Sequence, residues 1–86
     1  MSYRVVSDAY INKIFLGTNF GEPVNESVEE KKRLLAKSLK NQVDGYWSGH
    51  TIYKIMVNGG FLFDAKFNEP KKLTALGISF LQELDK

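Results

Sequence analysis

The sequence predicts a small α+β domain, three to four helices with a two-stranded β-hairpin, and three observations predict it. A capping box followed by an amphipathic run marks a long helix from Ser27 to about Val43. Two short segments, 61–64 and 71–73, flank a polar tip, which is the pattern of a hairpin. Thr74 then opens a final run with an apolar stripe that reaches about Leu84.

The 86 residues make one economical unit, a single domain over 1–86, and are too few for a barrel enzyme or a dinucleotide-binding α/β domain. A hydrophobic share of 43% with 26% charged residues argues against disorder and against a coiled coil. There is no cysteine, so disulfides and thiolate metal sites are excluded together. The single histidine, His50, cannot build a zinc site alone, and neither a metal nor a cofactor is expected. Residues Met1 to Asp8 reach a charge before any long apolar run, so neither a secretory segment nor a membrane span is expected. A cytoplasmic protein is the expectation.

The first helix runs from Asp8 to about Leu16. Ser7 caps it, Asp8 suits its positive end, and Ile11, Ile14 and Phe15 share a face. Gly17 stops it, and the stretch 17–25, with two glycines, a proline and two asparagines, reads as a loop. In the second helix Ser27 and Glu30 form the capping box. Val28, Leu35, Leu39 and Val43 form an apolar seam with Leu34 beside it, and Glu29 and Arg33 are spaced as an i,i+4 pair. Asp44-Gly45 ends that helix.

Residues 48–58 are ambiguous. As a strand, Thr51, Tyr53, Ile55 and Val57 share one face and Asn58-Gly59 is a hairpin turn, which would pack the helices on a β-hairpin over 50–67. As a helix capped by Ser48, Ile52, Ile55 and Met56 fall on one side and His50, Thr51, Lys54 and Asn58 on the other. The helical partition is the cleaner, because the strand leaves Lys54 between Ile52 and Met56. In the last helix Leu76, Ile78, Phe80, Leu81 and Leu84 supply the stripe, and Gly77 inside it implies close packing against a neighbour.

Three segments carry a resemblance: Ser48-Gly49-His50-Thr51-Ile52-Tyr53-Lys54-Ile55-Met56, then Gly60-Phe61-Leu62, then Leu73-Thr74-Ala75-Leu76-Gly77-Ile78-Ser79-Phe80-Leu81. Over about residues 27–82 the chain resembles a winged helix-turn-helix of the bacterial multiple-antibiotic-resistance and phenolic-acid-repressor types. The resemblance implies a recognition helix over 48–58 lying in the major groove of double-stranded DNA, with the hairpin as a wing. It implies that His50, Thr51, Lys54 and Asn58 meet base edges, Lys54 donating to guanine and Asn58 pairing with adenine. Lys66, Lys71 and Lys72 on the wing would hold phosphates. It implies a small transcriptional or phage-type regulator, with a homodimer as the expected assembly.

Charge is distributed unevenly. Residues 1–30 hold Arg4 and Lys13 against five carboxylates, a balance of −3, while the remainder holds ten Lys/Arg against five carboxylates, a balance of +5. That basic body permits a phosphate-facing surface. Yet Arg4 and Arg33 are the only arginines, although arginine is the commonest reader of guanine. The chain also lacks long flanking dimerisation helices.

A second reading follows from that shortage: a protein-interaction module, a small inhibitor or adaptor that docks a protein through Tyr46, Trp47 and Tyr53. The alternative for Trp47 is a place in the core. Ser48, His50 and Asp44 contain the residue types of a nucleophile triad, but no strained turn or oxyanion site accompanies them, and an enzyme is not expected.

Overall fold

A computed structural model of the chain describes residues 6–65 and 69–84. Five helices occur among them: α1 (Asp8–Ile14), α2 (Glu22–Glu26), α3 (Val28–Val43), α4 (His50–Asn58) and α5 (Ala75–Leu84). Central α3 packs against each of the other four.

Ser7 caps α1 by accepting the Tyr10 N–H at 3.1 Å, and Gly17 turns the chain with φ +78°. The stretch read as loop, 17–25, holds most of α2, a correction to the sequence reading. Its asparagines act as ties rather than breakers, Asn25 accepting the Phe20 N–H at 3.0 Å and donating to Asn19 at 2.8 Å. Pro23 sits in the first turn of α2, where a missing N–H does no harm.

The Ser27 cap of α3 forms as expected, Oγ accepting the Glu30 N–H at 3.3 Å. The reciprocal half of the box is replaced, because Glu30 Oε1 accepts instead from Arg33 at 2.7 Å, and the expected Glu29–Arg33 pair gives way to Glu30–Arg33. Leu35 and Leu39 are fully buried, but Val43 is 50% exposed. The inner row continues through Ser38 and Gln42, both buried. Lys32 is buried too, its ammonium 2.6 Å from Asp8 on α1.

Residues 50–58 are helical, which removes the alternative of helices packed on a 50–67 hairpin. Ile52, Ile55 and Met56 enter a core shared with Ile11, Phe15, Leu35, Leu39, Phe61, Leu62 and Phe80. Gly49, not Ser48, precedes the helix; the Ser48 hydroxyl donates to the Ser38 carbonyl at 3.4 Å.

The expected two-stranded wing is absent among the described residues, and so the α+β class is corrected to a helical one. What remains is one isolated antiparallel bridge, Leu62 with Leu73, bracketed by Phe63 N–H to Lys72 O (2.9 Å) and Thr74 N–H to Phe61 O (3.0 Å). The donors a ladder would use are engaged elsewhere: Phe61 and Leu62 both donate to the Met56 carbonyl at the end of α4, and Ala65 donates to the Tyr53 hydroxyl. Phe61 and Leu62, adjacent in sequence, are both buried, unlike the in-out alternation of a wing strand with one solvated face. Pro70 offers no N–H.

Thr74 caps α5 as expected, accepting the Gly77 N–H at 3.1 Å. Of the predicted α5 stripe, Phe80 is buried, Leu76 and Leu81 are half-buried, and Ile78 and Leu84 are exposed. No helix among the described residues is long and apolar enough to cross a membrane.

Candidate functional site

At 100° per residue, His50, Lys54, Asn58 and Thr51 span an arc of about 100° on α4. All four are exposed, opposite the buried Ile52, Ile55 and Met56. The helix carries no acidic residue. No side chain caps its first turn, where Gly49 stands at φ +107°. Asn58 keeps ordinary helical backbone, and Gly60 takes the left-handed position at φ +85°.

The segment after α4 is tied to its Tyr53 flank. The Tyr53 hydroxyl donates to Asp64 at 2.8 Å and accepts the Ala65 N–H at 3.2 Å, while Lys71 donates to the Ala65 carbonyl at 3.0 Å and lies 5.4 Å above the Tyr53 ring. Desolvation raises the Tyr53 hydroxyl above its ordinary phenol pKa, reinforced by the Asp64 carboxylate and opposed by the Ala65 N–H. This web places Lys71 beside α4, and Lys72 is exposed next to it in sequence. Lys66 lies outside the described residues.

Tyr46 and Trp47, in the turn between α3 and α4, are 68% and 56% exposed. A place for Trp47 in the core is thereby excluded. Its ring stands 5.2 Å from both His50, edge-on, and Tyr53, tilted by 38°. These rings wall an open groove of about 910 Å³ whose other sides come from Val43, Asp44, Ala65, Glu69, Pro70 and Lys71. Gln42, 2% exposed, belongs to the same lining, and its Nε2 has no hydrogen-bond partner among the described residues.

Sequence reasoning missed Gln42, although a signal was present: it sits at i+7 from Leu35 and i+3 from Leu39, a polar residue on the inner row. A second depression, of about 530 Å³ along α3, is lined by Lys32, Arg33, Lys37 and Lys40. Lys32 and Arg33 of that lining face carboxylates, those of Asp8 and Glu30. Among the described residues no group of three His, Cys, Asp or Glu could hold a metal ion.

Comparison of the chain with protein-family models, with curated proteins and with solved structures finds no match.

Proposed function

We propose that the protein is a small DNA-binding domain, a transcriptional or phage-type regulator, that lays α4 in the major groove of duplex DNA. The observation that carries this reading is the exposed, acid-free face of His50, Thr51, Lys54 and Asn58, backed by a fully apolar underside. Nine residues give a rod about 13 Å long, which the major groove accommodates. Lys54 and Asn58 supply a point donor and a bidentate amide for base edges. Lys71 and Lys72 follow on the Tyr53 flank and act on phosphates, which set register without reading sequence. The uncapped first turn of α4 adds amide donors to which a phosphate oxygen is a natural acceptor.

Two phosphate-facing lysines, Lys71 and Lys72, neutralise few phosphates, so one copy binds weakly and two copies on neighbouring half-sites are the working assembly. A cytoplasmic location fits this reading. The test is titration of a fluorescent mixed-sequence duplex at several salt concentrations. Log affinity should fall with log salt at a slope of about −2 per copy, roughly −0.9 for each phosphate neutralised. Salt-independent binding, or none at millimolar-range salt, would reject the reading.

A protein-docking role for Tyr46, Trp47 and Tyr53 rests on a different observation, the buried Gln42 Nε2 beside them, which has no hydrogen-bond partner among the described residues.

A further inference from the structure

We infer that the groove walled by Tyr46, Trp47, His50 and Tyr53 is a nucleobase site, which takes one unpaired base from the DNA that α4 holds. The inference rests on the α4 reading and deepens it, because the groove opens beside the reading face and His50 belongs to both.

The first observation is an open ring face. Trp47 is 56% exposed, and its two aromatic neighbours meet it edge-on or tilted, His50 at 75° and Tyr53 at 38°. Those contacts hold the indole while no ring among the described residues stacks parallel on it, which leaves a flat surface for a planar ligand. Every base has a flat face of its own, and stacking on an aromatic side chain is tolerant of sequence. Tyr46, 68% exposed, is a further ring on the same wall.

The second observation is a buried donor. Buried polar groups in folded proteins are almost always hydrogen-bonded, and an exception calls for an explanation. Gln42 Nε2 has no partner among the described residues, although the residue is 2% exposed and lines the groove. Its terminal amide torsion is broad, so a small rotation aims the N–H at an incoming acceptor. Thymine, guanine and adenine all carry acceptors on their edges. A stacked base meets both demands at once, its face on Trp47 and its edge toward Gln42.

The lining also includes the Asp44 carboxylate, beside which an uncharged ring is accepted and a phosphate is not. The base therefore enters, and its phosphate stays on the α4 side. Drawing a paired base out of the stack is unfavourable, and a base that is already unpaired escapes that penalty. The preferred ligand is thus a duplex with an unpaired nucleotide beside the segment that α4 reads.

Trp47 is the only tryptophan, so its fluorescence reports a stacked base directly. The full chain is titrated with three duplexes of one mixed sequence: fully paired, with one extra thymidine in one strand, and with that extra nucleotide made abasic. The thymidine duplex should bind about fivefold tighter than the paired one, the low end of what one stacked base contributes, and should quench Trp47. The abasic duplex should bind like the paired one. All three should share one salt slope, because the phosphates held are the same. Trp47→Ala should abolish the preference and keep the paired-duplex affinity. Gln42→Met removes the orphaned donor at similar volume, so it should reduce the preference and leave the urea midpoint equal or higher. Should Gln42→Met fail to fold, exposed Trp47→Ala carries the test alone.

Salt-dependent binding of all three duplexes with equal affinity overturns the inference, leaves the α4 reading standing and returns the groove to a protein partner. An abasic duplex as tight as the thymidine duplex, or a preference that survives Trp47→Ala, overturns it as well. Where no duplex binds, an oligothymidylate separates the two failures: quenching of Trp47 rejects the α4 reading and supports the base site, and no quenching rejects both.

Discussion

Gly77 in α5 lies directly on the carbonyl of Phe61: a Cβ built at Gly77 would stand 2.1 Å from the Phe61 oxygen. The close approach lets α5 seat Phe80 against Phe61, ring centroids 5.2 Å apart, and so closes the core over the end of α4. The neighbour that would clash is backbone, already hydrogen-bonded to Thr74, and cannot swing aside.

Gly77→Ala should therefore destabilise the fold by about 2 kcal/mol, the usual scale of overpacking, even though alanine is the better helix former by ~1 kcal/mol. Urea denaturation measures it. A midpoint that is unchanged or raised would show that α5 does not rest on Phe61 in this way.

Lys32 bridges α3 to α1 through Asp8, with Glu29 at 3.7 Å as a second carboxylate. The Lys32 side chain is 11% exposed and that of Asp8 44%, so solvent screens the pair only in part. A double-mutant cycle of Lys32→Met and Asp8→Asn should return a coupling of about 1 kcal/mol, toward the upper end for partly exposed pairs. Additive effects of the two substitutions would remove this tie from the account.

Tyr53 has a hydroxyl pKa raised chiefly by desolvation. The folded state thus holds its proton more tightly than the unfolded state does. The corresponding stability is fully present below the unfolded value near pH 10 and is lost as pH rises through the folded value. Thermal unfolding followed from pH 8 upward should show a steeper alkaline loss in the wild type than in Tyr53→Phe, with no difference between their slopes below about pH 9. Parallel curves across the alkaline range would contradict the shift.

Helix positions were legible wherever a side-chain cap coincided with a 3.6-residue apolar period. Ser7, Ser27 and Thr74 each cap the helix that the sequence assigns to them. The two-faced pattern of 50–58 decided helix over strand correctly, because only a helix buries Ile52, Ile55 and Met56 together while leaving Lys54 outside. The wing was misread because Phe61-Leu62-Phe63 has strand composition, while the fate of its amide protons is set at long range by the Met56 carbonyl and the Tyr53 hydroxyl. Short α2 was hidden because Gly21, Pro23 and Asn25 break a pattern as readily as they frame a single turn of helix. Of the candidate site, the α4 face could be read from periodicity. The groove could not, since it depends on Gln42 replacing Val43 on the inner row and on Pro70 returning beside Trp47.

The most direct test of the α4 reading compares wild type with Lys54→Ala in duplex titrations across a salt series. Lys54 is exposed, so the substitution should leave the urea midpoint unchanged. The account predicts weaker binding with a salt slope nearly unchanged, because Lys54 meets a base edge while Lys71 and Lys72 hold the phosphates. An identical affinity in the two proteins would mean that α4 does not face DNA.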